Sequence, residues 1–499
     1  MATVVERERK YSGGEGSVLP DLTGCGGVTT VSDATALDLD AVYLDTADLR
    51  LARSGYALRR RTGGHDAGWH LKVGAAGGAR TEHQFPAGPD DLDPPAELVA
   101  LFRAAARGAP VGPAARITNH RVERRLLDAR DRVLAEVVED TVEGRDLVTG
   151  EVQQWREIEV ELVDGDDGLL DAVESRLREA GARPVPVSKS HRALAARLAA
   201  TGAGPTAPAV APVVDYALAQ RDTLIANHPG ARLGDEDAVH DMRVAARRLR
   251  ATLRTFRGLW DRRASRALRA ELRWLGRRLG PVRDAQVMAA RLTDAVHAEP
   301  AELVLGPVPA RITERFAGDV AAALDGLREA LDSDRYIDLL TGLDRLLEGP
   351  PARTVGPRWV TRRVRRAVSR ADERLDRALA GRPPADSGAE DVALHEARKA
   401  YKAARYAVEV RRPAAGKPAV RLARRLKELQ RLLGAHQDSV ITREVLRRQA
   451  LRAYADGENT FTYGLLHARQ AAAADRDVRA VAAARDRARR PKVRRWLKG

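Results

Sequence analysis

Glu6, Glu8 and Lys10 occupy alternate positions in VVERERKY, so a strand with a two-residue side-chain period puts two carboxylates and an ammonium on one face. The alternation returns downstream. Arg59 and Arg61 alternate in YALRRR, His70 and Lys72 oppose Trp69, Leu71 and Val73 in GWHLKV, and Arg80 and Glu82 alternate in ARTEH. In WREIEVEL, Glu157, Glu159 and Glu161 alternate with Ile158, Val160 and Leu162. The apolar face of that last strand is committed to a core, so its carboxylates point either to solvent or into a polar cavity. Both signs of charge inside a closed barrel suit one class of ligand. Phosphate oxygens need Arg and Lys, and a divalent cation bridging them needs hard carboxylate ligands. A sheet with one solvated, charged face is the competing reading.

These residues sit on short segments of four to eight residues bounded by Gly, Asp or Pro, which predicts mainly antiparallel β structure with helices near 93–107 and 167–181. A Gly/Pro/Ala/Thr stretch at 201–212, TGAGPTAPAVAP, then separates two textures. Beyond it, apolar positions recur every three or four residues in runs of 15–25. Gly/Pro interruptions fall at 229–230, 280–281, 306–309, 349–351, 381–384 and 413–418, which predicts a helical bundle. The fold class is therefore α+β. The expected division is residues 1–200, a linker at 201–212, and residues 213–499 with repeats at about 213–350 and 356–499.

Composition excludes several classes. At 499 residues, 44% hydrophobic and 31% charged, the chain suits two to four soluble globular domains. No uncharged apolar run approaches the roughly 18 residues of a membrane span, and MATVVERERKY lacks the apolar core of a secretory signal, so a cytoplasmic protein is expected. A single cysteine, Cys25, rules out an internal disulfide. The glycine-rich stretches at 13–16 and 24–27 lack the Gly-Lys-Ser/Thr ending of a phosphate-binding loop and read as plain loops. Charge is unevenly divided: residues 1–200 hold 26 Lys+Arg and 33 Asp+Glu, net −7, while residues 201–499 hold 59 and 37, net +22. Such asymmetry suggests a module built to meet a polyanion.

The basic half repeats itself. VHDMRVAARRLR at 239–250 resembles LHEARKAYKAAR at 394–405, and LGRRLGPVRDAQV at 275–287 resembles LQRLLGAHQDSV at 429–440, with offsets of 155 and 154 residues. His240, Arg243, Arg247 and Arg250 thus correspond to His395, Arg398, Lys402 and Arg405. On a helix each set falls within an arc of roughly 80°, one cationic stripe per copy. A solvated face is the alternative for a single helix, and its duplication favours a functional surface. Arginines outside the stripes, such as Arg363 and Arg366, are expected to matter less. Nucleic acid is disfavoured as a partner because no nucleic-acid motif or aromatic platform is present.

The first 200 residues resemble the CYTH domains of the triphosphate tunnel metalloenzymes. The matching pieces are Glu6-x-Glu8-x-Lys10, Tyr43-x-Asp45-Thr46, Leu58-Arg59-x-Arg61, Trp69 to Lys72, Arg80-x-Glu82, Glu159-x-Glu161 and Lys189-Ser190. The resemblance implies an eight-stranded antiparallel tunnel that hydrolyses a triphosphate with Mg²⁺ or Mn²⁺. Metal binding is carried to Glu6, Glu8, Glu159 and Glu161. Substrate contact is carried to Lys10, Arg59, Arg61, Lys72, Arg121 and Lys189, with Glu6, Glu8, Lys10 and Lys72 as the catalytic set. Arg124 and Arg125 rival Arg121; period two puts 121 and 125 on one face and 124 opposite. Asp140 is an acidic candidate beside Glu136 and Glu139. Residues from about 213 to 490 resemble the CHAD domain, through the two His-x-x-Arg helices and the Leu279 to Asp284 and Leu433 to Asp438 segments. That resemblance implies polyphosphate binding by the two stripes and association with polyphosphate granules. A non-catalytic polyphosphate-binding protein and an adenylate cyclase-like use of ATP are the alternatives.

Overall fold

Arg7 breaks the N-terminal strand into β1 (Ala2–Glu6) and β2 (Glu8–Gly13), and the two halves pair with opposite ends of one antiparallel sheet. The computed structural model describes residues 2–13, 18–74, 80–88, 91–185, 187–201, 210–353, 355–380 and 389–498. Residues 14–16, 202–209 and 381–384, read above as loop, linker and helix interruption, lie outside the described residues. By contacts the chain forms two units, Met1–Ala203 and Gly204–Gly499.

The first unit adds β3 (Thr30–Val31), β4 (Thr35–Asp45), β5 (Tyr56–Thr62), β6 (Gly68–Gly74), β7 (Arg80–Phe85), β8 (Gly112–Leu127), β9 (Val133–Asp146), β10 (Val152–Leu162) and β11 (Arg183–Pro184). Strand order is β1-β7-β6-β5-β4-β8-β9-β10-β2-β11, with the two-residue β3 beside β8. Because β1 continues into β2 through Arg7, the sheet closes on itself. Counted with that broken strand as one, eight long strands enclose a lumen.

Alternation then sorts side chains between inside and outside. Tyr11, Leu126, Val137, Ile158 and Val160 face out and are covered by α3 (Asp167–Glu179) through Leu169, Leu170, Val173 and Leu177. An apolar group of Tyr43, Ile117, Val142 and Trp155 packs with Leu49, Ala52, Ala193 and Leu194, which lie on or beside α1 (Arg50–Arg53) and α4 (Lys189–Ala193). Two further helices, α2 (Ala96–Ala106) and α5 (Ala195–Ala200), complete the unit.

Turns are set by local chemistry. Gly63 and Gly64, with φ of 78° and 74°, reverse the chain between β5 and β6, and a Cβ on Gly63 would sit 2.2 Å from the Asp38 carbonyl oxygen. The buried Asp45 carboxylate accepts backbone N–H bonds from Thr46 (2.7 Å), Leu51 (2.9 Å) and Ala52 (2.9 Å), tying the end of β4 to the first turn of α1.

The second unit is helical: α6 (Ala211–Ala226), α7 (His228–Leu233), α8 (Glu236–Thr255), α9 (Arg262–His297), α10 (Val308–Asp332), α11 (Asp334–Glu348), α12 (Pro357–Ala380), α13 (Ala389–Val410), α14 (Arg412–Ala455), α15 (Phe461–Arg489) and α16 (Pro491–Arg494). The repeated segments are α8 with α9 and α13 with α14. Each pair packs together, and α8 meets α13 across Ala251, Ala403 and Tyr406. None of the described helices is long and apolar enough to cross a membrane.

The Gly/Pro pair at 280–281 does not interrupt its helix as expected: α9 runs 36 residues straight through Pro281. Leu275, Leu279, Val282 and Gln286 are buried on both sides of it, so packing outweighs the roughly 3 kcal/mol intrinsic cost of an interior proline. At 413–418 the chain does turn, at Gly416 (φ 56°, ψ −140°), between two stretches of α14.

Replacing Asp45 with Ala strands three buried backbone donors and is expected to destabilise the first unit by about 3 kcal/mol. Hydrogen exchange of the β4 and β5 amides reads this directly, and unchanged protection there would show that the cap is dispensable.

Candidate functional site

The barrel lumen holds a cavity of about 410 Å³. Glu6, Glu8, Lys10, Arg59, Arg61, Lys72, Arg121, Glu159, Glu161 and Lys189, drawn from seven elements, all line it. Register explains their convergence, because residues directly opposite in antiparallel strands share a face. Glu159 stands opposite Lys10, Glu161 opposite Glu8 and Glu136, Arg121 opposite Asp140, and Lys72 opposite Glu82. The Arg80 side chain lies outside the described residues. Arg125 also lines the cavity, whereas Arg124 faces the other way and pairs with Glu139 at 2.5 Å.

The charges are paired densely. The Glu159 carboxylate receives Lys10, Lys189 (2.8 Å) and Arg121 (3.2 Å). Burial opposes its ionisation, but these three cations outweigh burial and hold Glu159 well below the usual carboxylate range. Lys72 bonds both oxygens of Glu6 at 2.8 Å. Arg121 forks onto Asp140 at 2.9 and 2.8 Å. Lys189 is the first residue of α4, whose start is fixed by the Ser188 side chain accepting the His191 N–H. From there it reaches Asp140 (2.8 Å), Glu157 (2.5 Å) and Glu159 (2.8 Å).

Two zones are left short of opposite charge. Burial and the neighbouring Glu6 push the Glu161 carboxyl up to about 7, with Glu8 and Glu159 adding to the effect and Lys72 opposing it. Burial, Arg59 and Arg121 pull the Arg61 guanidinium down to about 9, although it pairs with Asp66. One zone has carboxylates to spare and the other guanidinium groups to spare. The all-oxygen set Glu6, Glu8, Glu159 and Glu161 has the chemistry of a hard divalent cation site. The tightest acidic group is different: Asp140, Glu157 and Glu159 place ligand oxygens within 4.8 Å of one another, but Lys189 already sits among them.

Sequence reasoning missed several wall residues. Glu123 lines the cavity and was readable as the middle member of Arg121, Glu123, Arg125; Glu136, one of the three acidic candidates, lines it too. Asp66 comes from the β5–β6 loop, where no periodicity exists. His70 braces Glu82 from behind, its Nε2 donating to the Asp66 carbonyl at 2.7 Å and its Nδ1 lying 2.9 Å from Glu82.

In the second unit the two stripes meet across α8 and α13. Arg247 Nε donates to Tyr406 Oη at 2.9 Å, crossing from one copy to the other. Burial and then Arg247, Arg398 and Arg243 pull the Lys402 ammonium down to about 7, against the opposing pull of Asp438. Burial and nearby cations also lower His240 and His395. The repeat extends to its pairings: Arg243 bonds Asp284 at 2.7 Å in one copy, and Arg398 lies 3.6 Å from Asp438 in the other. Gly434 permits the second pairing, since a Cβ there would lie 3.2 Å from the Arg398 guanidinium. Arg250 faces Arg254, Arg269 and Arg273 rather than α13, and Arg405 turns to Glu409 at 3.5 Å.

A closed eight-stranded barrel lined by both charges, followed by a duplicated basic helical unit, defines a tunnel-plus-bundle protein. The CYTH domain model matches residues 5–190 and the CHAD domain model matches residues 215–447; the chain belongs to the family that carries a CYTH domain followed by a CHAD domain. Two uncharacterised proteins of Mycobacterium tuberculosis, from strains CDC 1551 and H37Rv, are each 37% identical over 487 residues, covering 95% of this chain and 94% of theirs. Among solved structures, PptA from Streptomyces chartreusis is similar over 56% of this chain and 99% of its own, at 21% identity and a TM-score of 0.47. The CHAD domain from the plant Ricinus communis is similar over 56% of this chain and 92% of its own, at 23% identity and a TM-score of 0.44.

Lys189→Met leaves Asp140, Glu157 and Glu159 without their shared cation, so the first unit should lose about 3 kcal/mol of stability, with part recovered in millimolar Mg²⁺ as the vacated acidic group takes up the ion. Thermal unfolding with and without Mg²⁺ tests this, and a variant as stable as the parent would show that Lys189 does not hold the cluster.

Proposed function

We propose that the first unit hydrolyses a triphosphate, inorganic tripolyphosphate or a nucleoside triphosphate, and that the second binds inorganic polyphosphate. The carrying observation is the convergence of ten charged residues of both signs on one lumen of about 410 Å³. Arg59, Arg61 and Arg121 take phosphate oxygens in the cation-rich zone, exchanging mutual repulsion for charge-assisted bonds. Lys10 and Lys72 steady the departing group, pyrophosphate from tripolyphosphate or the diphosphate of a nucleoside diphosphate. Glu6, Glu8, Glu159 and Glu161 would hold an Mg²⁺ or Mn²⁺ ion, and Glu8 and Glu161 would accept hydrogen bonds from the attacking water. When bound, that ion supplies neutralisation of phosphate charge and activation of water. No covalent nucleophile is needed, because positioning and charge neutralisation carry phosphoryl transfer. The same reading makes this a cytoplasmic protein associated with polyphosphate granules.

Phosphate release from tripolyphosphate and from ATP, with Mg²⁺ or Mn²⁺, tests the enzymatic half. Glu159→Gln and Glu161→Gln should each lower kcat more than a hundredfold with the fold intact, whereas Lys10→Ala and Arg59→Ala should mainly raise KM. Full turnover by both glutamine variants at limiting metal would remove them from the metal site, and inert wild-type protein would leave only the binding role.

The stripes make a separate prediction about protons. Lys402 is depressed to about 7 by burial and by Arg247, Arg398 and Arg243, with Asp438 opposing, so at pH 8.5 it is largely neutral in the free protein. A polyphosphate chain bound beside it restores the ammonium, so binding at pH 8.5 takes up close to one proton. At pH 6 Lys402 is charged beforehand and contributes no uptake. Calorimetric titration in two buffers of different ionisation enthalpy measures the difference, and Lys402→Met should abolish it. Equal uptake by both proteins would place the polymer elsewhere.

A further inference from the structure

Arg250 is the end of its stripe in sequence but not in space. One turn further along α8 stands Arg254. On α9, Arg269 and Arg273 occupy one face at i and i+4; on α12, Arg363, Arg366 and Arg370 do the same at i, i+3 and i+7. The helices bring these rows together: α8 packs along α9 and meets α12, where the rings of Phe256 and Trp359 lie 6.4 Å apart centre to centre. Besides burial, Arg250 is depressed by Arg273, Arg254, Arg247 and Arg269, and Arg254 by Arg269, Arg374 and Arg370. Arg363 is depressed in the same way by Arg257 and then Arg366. Among the described residues, none of Arg254, Arg269, Arg273, Arg363, Arg366 and Arg370 has a carboxylate within ion-pair distance. The Nε atoms of Arg269 and Arg363 are buried without a hydrogen-bond partner. Other arginines of this unit do find acids: Arg221, Arg232, Arg311 and Arg335 are all ion-paired.

We propose that Arg254, Arg269, Arg273, Arg363, Arg366 and Arg370 form an extension of the polyanion site that holds a second stretch of the same long phosphate chain, so that the protein selects for chain length; Arg363 and Arg366, expected from the sequence to matter less, then belong to the site. The inference rests on polyphosphate binding by the stripes. Uncompensated like charge is costly to assemble and is relieved by a continuous polyanion, whose bound counterions are released in proportion to the cations engaged. From Arg243 to Arg254 the α8 row alone spans about 16 Å, so a short chain leaves the α9 and α12 rows unused. The patch offers no platform for bases. The aromatic rings beside it, Phe256, Trp274 and Trp359, are buried, and Trp359 is overlaid by Arg353 and Arg363, with guanidinium carbons 5.9 and 4.9 Å from the ring centre.

The test measures binding by the full chain of a long polyphosphate (over a hundred phosphates) and of a ten-phosphate chain. It compares wild type, the exposed pair Arg366→Glu/Arg370→Glu, the stripe pair Arg247→Glu/Arg250→Glu, and the control Arg476→Glu/Arg479→Glu on α15. The Arg366/Arg370 pair should weaken long-chain binding more than tenfold and flatten its salt dependence, with less than a threefold effect on the short chain. The stripe pair should weaken both. Long-chain loss by the Arg366/Arg370 pair no greater than that of the control overturns the extension while leaving the stripes intact. Failure of wild type to bind either chain overturns the stripe reading and the extension with it. A single-stranded RNA of equal phosphate number binding as tightly as polyphosphate would overturn the choice of ligand.

Discussion

Ionised groups removed from water must find opposite charge, and the construction of the first unit follows from that demand. Inside its barrel the strand period delivers charged side chains in quantity, and only cross-strand partners of opposite sign make their burial tolerable. Lys10 against Glu159, Arg121 against Asp140, and Lys72 against Glu82 and Glu6 are such partners. The outer face carries the apolar core beneath α3, so hydrophobic burial and charge pairing occupy opposite sides of the same strands. Where pairing is incomplete, at Glu161 and at Arg61, the imbalance describes the ligand: positive charge is missing at one place and negative charge at another.

The helical unit handles charge in the opposite way. Its stripes gather like charges and leave most of them uncompensated, apart from Asp284 and Asp438, each holding the first arginine of its stripe, and Glu409 beside Arg405. Those aspartates keep the arginines extended from their helices without neutralising the seam. Small residues between α8 and α13, Ala251 and Ala403, allow the close approach that brings the stripes together.

Much of this was legible because strand and helix periods are strict. Alternation in VVERERKY, YALRRR, GWHLKV and WREIEVEL predicted which side chains share a face, and closure of the barrel turned that shared face into a lumen. The duplicated His-x-x-Arg segments stood out because repetition at one spacing is hard to produce by accident. What the sequence concealed was interaction at a distance. Glu157 looks like one more alternating carboxylate, yet it is a seat for Lys189, 32 positions later. Asp66 is a loop residue without periodic context. Arg254 and Arg366 belong to different helices, and only packing shows them to be neighbours. Pro281 gave a false break because local cost is visible in a sequence, whereas the packing that overrides it is not.

The broken N-terminal strand also shapes how the barrel is made. Residues 2–13 emerge before the other barrel strands in synthesis, but β1 must wait for β7 and β2 must wait for β10, some 150 positions later. Until then the growing sheet has two open edges and a lining of unpaired charge, which keeps it from collapsing into a dry core or adding strands from other chains. The final stitch is made by the barrel strand that was synthesised earliest, so barrel assembly should be a late and comparatively slow event in the life of each molecule, with hydrogen exchange at β1 and β2 the last to become protected.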